Sequence, residues 1–260
     1  MNETNFQSGY SDVNGLNMYY EIYGEGKPMV LIHGGGSTIQ TTFGNLIPLL
    51  SKHRQVIAMD LQAHGRTGDR GGGLSFEQDA DDVAMLLNNL NITKADFLGY
   101  SNGGQTLFEI ALRHADIVNK LIIASAFYNR NAAPPQFWEG FDHATIDVMP
   151  TSLKNAFLKV NNDESALLNM FNKDVQRMKN FKGWDKEQIQ SISFPTLIIN
   201  GNNDVGSIEH AVEMYRIMPD AQLAVLPGKH GTYIGAIEFL DNGKWTQHYI
   251  VDIINEFLDD

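Results

Sequence analysis

The chain has 260 residues, 43% hydrophobic and 19% charged, and aspartate plus glutamate (31) outnumber lysine plus arginine (19), a net charge of −12. That length suits one large core or a core carrying an insertion, and the acidic balance with no basic block argues against nucleic acid and anionic membrane surfaces as partners. Cysteine is absent, which removes disulfides, thiolate nucleophiles and cysteine-bound metals together.

The first residues, Met1 to Tyr10, are polar and lack the basic start and apolar run of a secretory signal. The longest apolar runs, such as Met29 to Ile32 and Leu121 to Ala124, are too short to span a bilayer, so a soluble cytoplasmic protein is expected. Residues Tyr10 to Tyr23 alternate around Asn14-Gly15, a hairpin signal, and Gly24-Glu25-Gly26 closes the hairpin. Pro28 to Ile32 is a continuous apolar run, the pattern of a strand buried on both faces, and it stops at His33-Gly34-Gly35-Gly36. A helix over Thr42 to Leu50, a strand over Val56 to Met59 and a capped helix from Ser75 to about Leu90 are expected next. A strand Ala95 to Leu98 then meets Gly99-Tyr100-Ser101-Asn102-Gly103, with a helix from Gln105 to His114 and a strand Leu121 to Ala124 behind it. Strands alternating with helices imply an α/β fold with a mostly parallel central sheet flanked by helices.

Between Phe127 and Phe194 the alternation stops. Pro134-Pro135, Pro150 and the polar run Asn161 to Glu164 cut this stretch into helical pieces bearing Trp138, Phe141, Phe157, Phe171, Phe181 and Trp184. It reads as a helical cap, residues 127–194, inserted into a core made of residues 1–126 and 195–260. Its aromatics could line an apolar pocket or form the cap's own core. The alternation resumes with a strand Thr196 to Ile199, a helix Ser207 to Met218, a strand Gln222 to Leu226 and a closing helix from Lys244 to Leu258.

The candidate chemistry collects at the carboxyl ends of these strands, where ligands bind in open parallel sheets. Ser101 stands in a G-x-S-x-G pattern at a strand-to-helix junction, a turn that presents the hydroxyl and points the Asn102 amide at the same space. A serine hydroxyl needs a base held by a third group. Of the eight histidines, His230 lies just past the last strand in a loop able to reach across the edge. His33 and His64 belong to glycine-containing turns where a ring can brace neighbouring loops, and the others fall on helices or their ends. Asp204 leaves the strand ending at Ile199, whereas Asp220 sits at the amino end of its strand. The glycines Gly34 to Gly36 let backbone N–H groups approach a ligand, and no Gly-Lys-Ser/Thr follows them as a phosphate loop would require.

These pieces together resemble the α/β-hydrolase fold, and the likeness runs from about Val13 to the C-terminus. It is carried by His33 to Gly36, by Asp60 through His64-Gly65-Arg66, by the elbow Gly99 to Gly103, by Gly201 to Asp204 and by His230, in the family's order of serine, acid and histidine. The resemblance implies Ser101 as nucleophile, His230 as base, Asp204 as orienting acid, and an oxyanion hole from the Asn102 and Gly35 amides. Gly34, Gly36, Tyr100 and Phe127 are expected to contact substrate. The expected reaction is hydrolysis of a small neutral or apolar ester-like substrate through an acyl-serine, with no metal or organic cofactor required. An aspartate-nucleophile dehalogenase or epoxide hydrolase is set aside because Ser101 occupies that position. Carbon–carbon bond hydrolysis, peptidase, perhydrolase or acyl-transfer use of the serine, and a ligand-binding receptor with little turnover, stay open. Oligomeric state is not legible in the sequence.

Overall fold

A computed structural model of the chain describes residues 6–240 and 243–260, so the first five residues of the polar start lie outside the described residues. The strands are β1 (Phe6–Val13), β2 (Leu16–Tyr23), β3 (Pro28–Ile32), β4 (Gln55–Met59), β5 (Ala95–Tyr100), β6 (Val118–Ala124), β7 (Thr196–Asn203) and β8 (Ala221–Lys229). They form one sheet in the order β1-β2-β4-β3-β5-β6-β7-β8. The β1–β2 and β2–β4 pairs are antiparallel and the rest are parallel. The hairpin turns at Asn14 (φ 49°) and Gly15 (φ 76°), both in the left-handed region that a two-residue turn of this kind demands.

The helices are α1 (Ile39–Phe43), α2 (Ile47–Leu50), α3 (Phe76–Asn89), α4 (Asn102–Arg113), α5 (Pro135–Gly140), α6 (Thr151–Asn161), α7 (Glu164–Asn180), α8 (Lys186–Gln190), α9 (Ile208–Ile217) and α10 (Tyr249–Asp259). Ser75 caps α3 by accepting from the Gln78 amide at 3.1 Å, and Ser207 caps α9 through the His210 amide at 3.2 Å. Where one helix was expected over Thr42 to Leu50 there are two short ones, because Gly44 closes α1 and Pro48 sits in the first turn of α2. The closing helix begins at Tyr249 rather than Lys244. The preceding segment is used otherwise: the Trp245 indole donates to the Tyr233 carbonyl at 3.0 Å and stacks on His248.

Two apolar layers cover the sheet, which is why its central strands read as unbroken apolar runs. One face packs Val30, Ile32, Phe97, Leu121 and Ile123 beneath α3 and α4; the other packs Leu31, Leu98, Ile122 and Ile199 against Phe43, Tyr233 and Ile254. All the described helices between β6 and β7, α5 to α8, belong to the stretch where the alternation fails. Their aromatics divide. Trp138, Phe181 and Trp184 join the first layer and cluster with Phe76, Phe108 and Phe127, while Phe157 and Phe171 join a separate cluster with Met149, Leu153 and Met170. The polar run after α6 acts as a break and restart: Asn162 takes φ 55° and the Asp163 carboxylate caps α7.

Candidate active site

Ser101 joins β5 to α4 with φ 53° and ψ −122°, a sparsely populated conformation that costs on the order of 1–3 kcal/mol. A Cβ at Gly103 would lie 2.1 Å from the Ile32 carbonyl oxygen, and one at Gly99 would lie 2.3 Å from the Gly103 carbonyl oxygen. These two positions therefore take glycine because backbone crosses backbone there.

The turn lifts the Ser101 hydroxyl to 3.0 Å from His230 Nε2, and His230 Nδ1 lies 2.6 Å from Asp204 Oδ1. With Nδ1–H donating to the carboxylate, Nε2 is left to accept the serine proton. The ring is pinned between Tyr100 at 5.0 Å and Phe239 at 5.8 Å, centroid to centroid. Asp204 directly follows β7 and is surrounded by donors: Ser125 Oγ at 2.5 Å, the Val205 amide at 2.7 Å and the Gly201 amide at 3.2 Å. Burial opposes its charge, but the His230 ring and these donors outweigh burial and hold the carboxyl below its ordinary value. Ser125 Oγ also lies 2.7 Å from the Tyr233 hydroxyl, so the acid rests on a second polar pair.

The Ser101 hydroxyl opens into a cavity of about 280 Å³, at the small end of ligand-sized pockets. Larger concavities elsewhere on the surface do not include Ser101. Gly35, Gly36, Asn102 and His230 form its polar end; Phe127, Phe137, Phe141, Met149, Leu153 and Phe171 make most of the remaining wall. Among the described residues neither the Gly35 nor the Asn102 amide donates to another group in a turn or to a side chain.

A family model described as alpha/beta hydrolase fold matches residues 27–147. The chain is 23% identical over 245 residues to 2-hydroxy-6-oxo-6-(2'-aminophenyl)hexa-2,4-dienoic acid hydrolase of Metapseudomonas resinovorans, covering 86% of this chain and 84% of that one. It is 24% identical over 238 residues to pyrrolizixenacetamide deacetylase of Xenorhabdus hominickii, covering 83% and 88%. A crystal structure of a serine hydrolase involved in carbazole degradation superposes with a TM-score of 0.80 over 98% of this chain and 99% of that one, at 22% identity. The chain has the α/β-hydrolase fold.

Within this fold the residues expected at the site separate into three groups. Ser101, Asp204 and His230 are brought into one hydrogen-bonded chain, and Gly35, Asn102 and Phe127 border the cavity beside it. Tyr100 and Gly34, expected among the substrate contacts, do not line the cavity. Successive strand residues point to opposite faces, so Tyr100, next to Ser101, turns into the other apolar layer beneath His230, 2% exposed. Gly34 is wedged between Tyr100 and Ser101: a Cβ there would lie 3.1 Å from each. Gly36 does line the cavity, but its amide is already engaged, donating to the Asp174 carboxylate at 2.6 Å.

Asp174, on α7, was not foreseen, nor was its ion pairing with His64 and Arg177. Its Oδ2 lies 2.9 Å from His64 Nε2, and Arg177 Nη2 donates to its Oδ1 at 2.6 Å while Arg177 Nη1 donates to Asp79 at 2.7 Å. Burial works against both charges of the central pair, yet the attraction between them wins. His64 is raised above its ordinary value by the Asp174 carboxylate, and Asp174 is held well below the usual carboxylate range by His64 and Arg177. His33 is the opposite case. Burial and the neighbouring His64 push it down to about 3, and the neutral ring braces the loops, with Nδ1 against the Gly34 carbonyl at 2.7 Å and Nε2 accepting from the Leu61 amide at 3.0 Å.

Proposed function

We propose that the chain is a serine hydrolase that cleaves a small, neutral, ester-like acyl substrate through an acyl-enzyme on Ser101. The observation that carries this reading is the hydrogen-bonded series Ser101–His230–Asp204 opening into a small apolar cavity whose polar end has two unengaged amides. In the first half-reaction Ser101 Oγ attacks the carbonyl carbon while His230 Nε2 takes the hydroxyl proton. The oxyanion is met by the Gly35 and Asn102 N–H groups, one such donor being worth about a hundredfold to a thousandfold in rate. The bond to the leaving group then breaks as His230 returns the proton to it. In the second half His230 deprotonates a water, which attacks the acyl-Ser101 ester and releases the free acid. The helices between β6 and β7 act as a cap whose Phe137, Phe141, Met149, Leu153 and Phe171 size the acyl group.

The relative from Metapseudomonas is named for hydrolysis of a dienoic acid, a substrate that carries a carboxylate. The residues lining this cavity include no lysine or arginine, and its one carboxylate is Asp174. That lining favours a neutral acyl substrate over an anionic one, and so favours ester or amide cleavage over hydrolysis of a carboxylate-bearing carbon–carbon substrate.

A panel of p-nitrophenyl esters of increasing chain length, assayed with the wild type and Ser101→Ala, tests the reading. Turnover on short acyl chains that vanishes in the folded variant is expected. Unchanged turnover in Ser101→Ala would remove the assignment, and stoichiometric release without turnover would favour a ligand-binding receptor.

A further inference from the structure

We propose that Asp174 is a positioning residue for the reaction at Ser101, holding the glycine loop after β3 so that the Gly35 amide faces the oxyanion. The inference rests on the hydrolase reading above and concerns a residue 138 positions from the loop it would hold. A loop of three successive glycines has more conformational freedom than any other tripeptide, and Gly36 sits at φ 67°. Left alone, such a loop would sample many orientations of the Gly35 N–H, and misplacement by about 1 Å can cost on the order of a hundredfold in rate. The Asp174 carboxylate removes that freedom at the adjoining residue by accepting from the Gly36 amide at 2.6 Å, a short charge-assisted bond. A Cβ at Gly35 would lie 3.2 Å from the same oxygen, so the carboxylate also packs directly on the residue whose amide matters.

A carboxylate beside an oxyanion site is costly unless its charge is cancelled. Here it is: Asp174 and Asp79 are matched by Arg177, which bridges them, and by His64, both of whose ring nitrogens face acceptors, Asp174 at 2.9 Å and the Gln62 carbonyl at 2.9 Å. Arg177 and His64 offset the Asp174 charge, so the hydrogen bond to Gly36 is the contribution that remains. The arrangement also ties cap to core, since Asp174 and Arg177 lie on α7 whereas Gly36, His64 and Asp79 belong to the core.

Two explanations of Asp174 predict opposite signs. If its charge acted mainly as a repulsive neighbour, Asp174→Ala would raise kcat. If it positions the loop, Asp174→Ala lowers kcat by about tenfold to a hundredfold with KM changed less than about threefold, and Asp174→Asn, which keeps an acceptor for the Gly36 amide, recovers part of the loss. Asp79→Asn is the control, because it disturbs the same buried network without touching the loop; it should lower thermal stability and leave kcat within about twofold. An equal kcat loss in Asp79→Asn and Asp174→Ala, or a faster Asp174→Ala enzyme, would overturn the proposal.

Should Asp174→Ala fail to fold, amide hydrogen exchange on the wild type decides the contact. The Gly36 amide is expected to be strongly protected and the Gly35 amide, facing the cavity, to exchange rapidly. Unprotected Gly36 in an active enzyme would overturn the contact alone. Protected Gly36 in a protein with no turnover would overturn the hydrolase reading and, with it, the catalytic meaning of the contact.

Discussion

Two aspartate–histidine pairs each give one residue, His230 and Asp174, to the wall of one cavity. Asp204 meets His230 at 2.6 Å and Asp174 meets His64 at 2.9 Å, close enough in length that the distances alone do not tell them apart. What separates them is the second ring nitrogen. That of His230 faces the Ser101 hydroxyl, a group with a proton to donate, at 3.0 Å. That of His64 faces the Gln62 carbonyl, which can only accept, and the Asp174 carboxylate beside Nε2 raises the ring above its ordinary value and favours its charged form. Exposure follows the same division: the His230 side chain is 16% exposed and that of His64 is 1% exposed. A carboxylate beside a histidine thus makes either a base or a fixed charge, and the partner on the far nitrogen selects which.

The largest effects should come from breaking the first pair. Asp204→Asn puts an amide that can donate to Nδ1 where the carboxylate only accepts, which favours the wrong His230 tautomer, and kcat on the best ester of the panel is expected to fall by about 10⁴-fold with the fold intact. A fall of less than about tenfold would mean that Asp204 does not orient the base. His64→Gln, the equivalent blow to the second pair, should instead act on stability. Breaking a buried ion pair costs about 3–5 kcal/mol, which should appear in urea unfolding, while kcat falls by no more than about tenfold. Loss of activity comparable to that of Asp204→Asn, at temperatures where the variant stays folded, would erase the distinction between the pairs.

The pH dependence sharpens it further. His64 is raised above 6.5 in the folded chain, so its contribution is fully present below that value and is lost as pH rises through the folded value; Asp174 is lowered from 3.8, so its contribution is present above that value and is lost as pH falls. The stability gap between wild type and His64→Gln is therefore expected to be widest between about pH 4 and 6.5 and to shrink on the alkaline side. A gap that grows with pH in urea titrations would reverse the sign assigned to His64. The smallest effect belongs to Ser125→Ala, which removes one donor from Asp204 and should lower kcat by about threefold to tenfold, since a hydrogen bond to a charged group is worth roughly 1.5–3 kcal/mol and the Val205 and Gly201 amides remain. An unchanged kcat would show that those amides suffice.

The first pair was legible in the sequence and the second was not, for a physical reason. Ser101, Asp204 and His230 each follow a strand whose apolar run is visible, and the ends of parallel strands converge in any sheet of this kind. Asp174 lies inside a helix, and nothing local reports which face of that helix meets the core 138 residues away. His64 was read as a brace. The structure gives that role to His33, while the charge on His64 depends on Asp174 and so could not be read without it. Tyr100 lies beside a core motif in the sequence, but strand side chains alternate and its ring faces the layer away from the cavity. The hairpin, the buried parallel strands and the capped α3 helix were readable because hydrophobic period, turn residues and caps are local signals; the segment before α10 lost its helix to a tertiary contact of Trp245.

The claim that His230 and not His64 drives a nucleophilic Ser101 is tested most directly by fluorophosphonate labelling followed by intact-mass spectrometry on wild type, His230→Gln and His64→Gln. One adduct is expected, on Ser101, forming at similar rates in wild type and His64→Gln and at least about a hundredfold more slowly in His230→Gln. Labelling at another residue, or labelling of His230→Gln as fast as wild type, would contradict it.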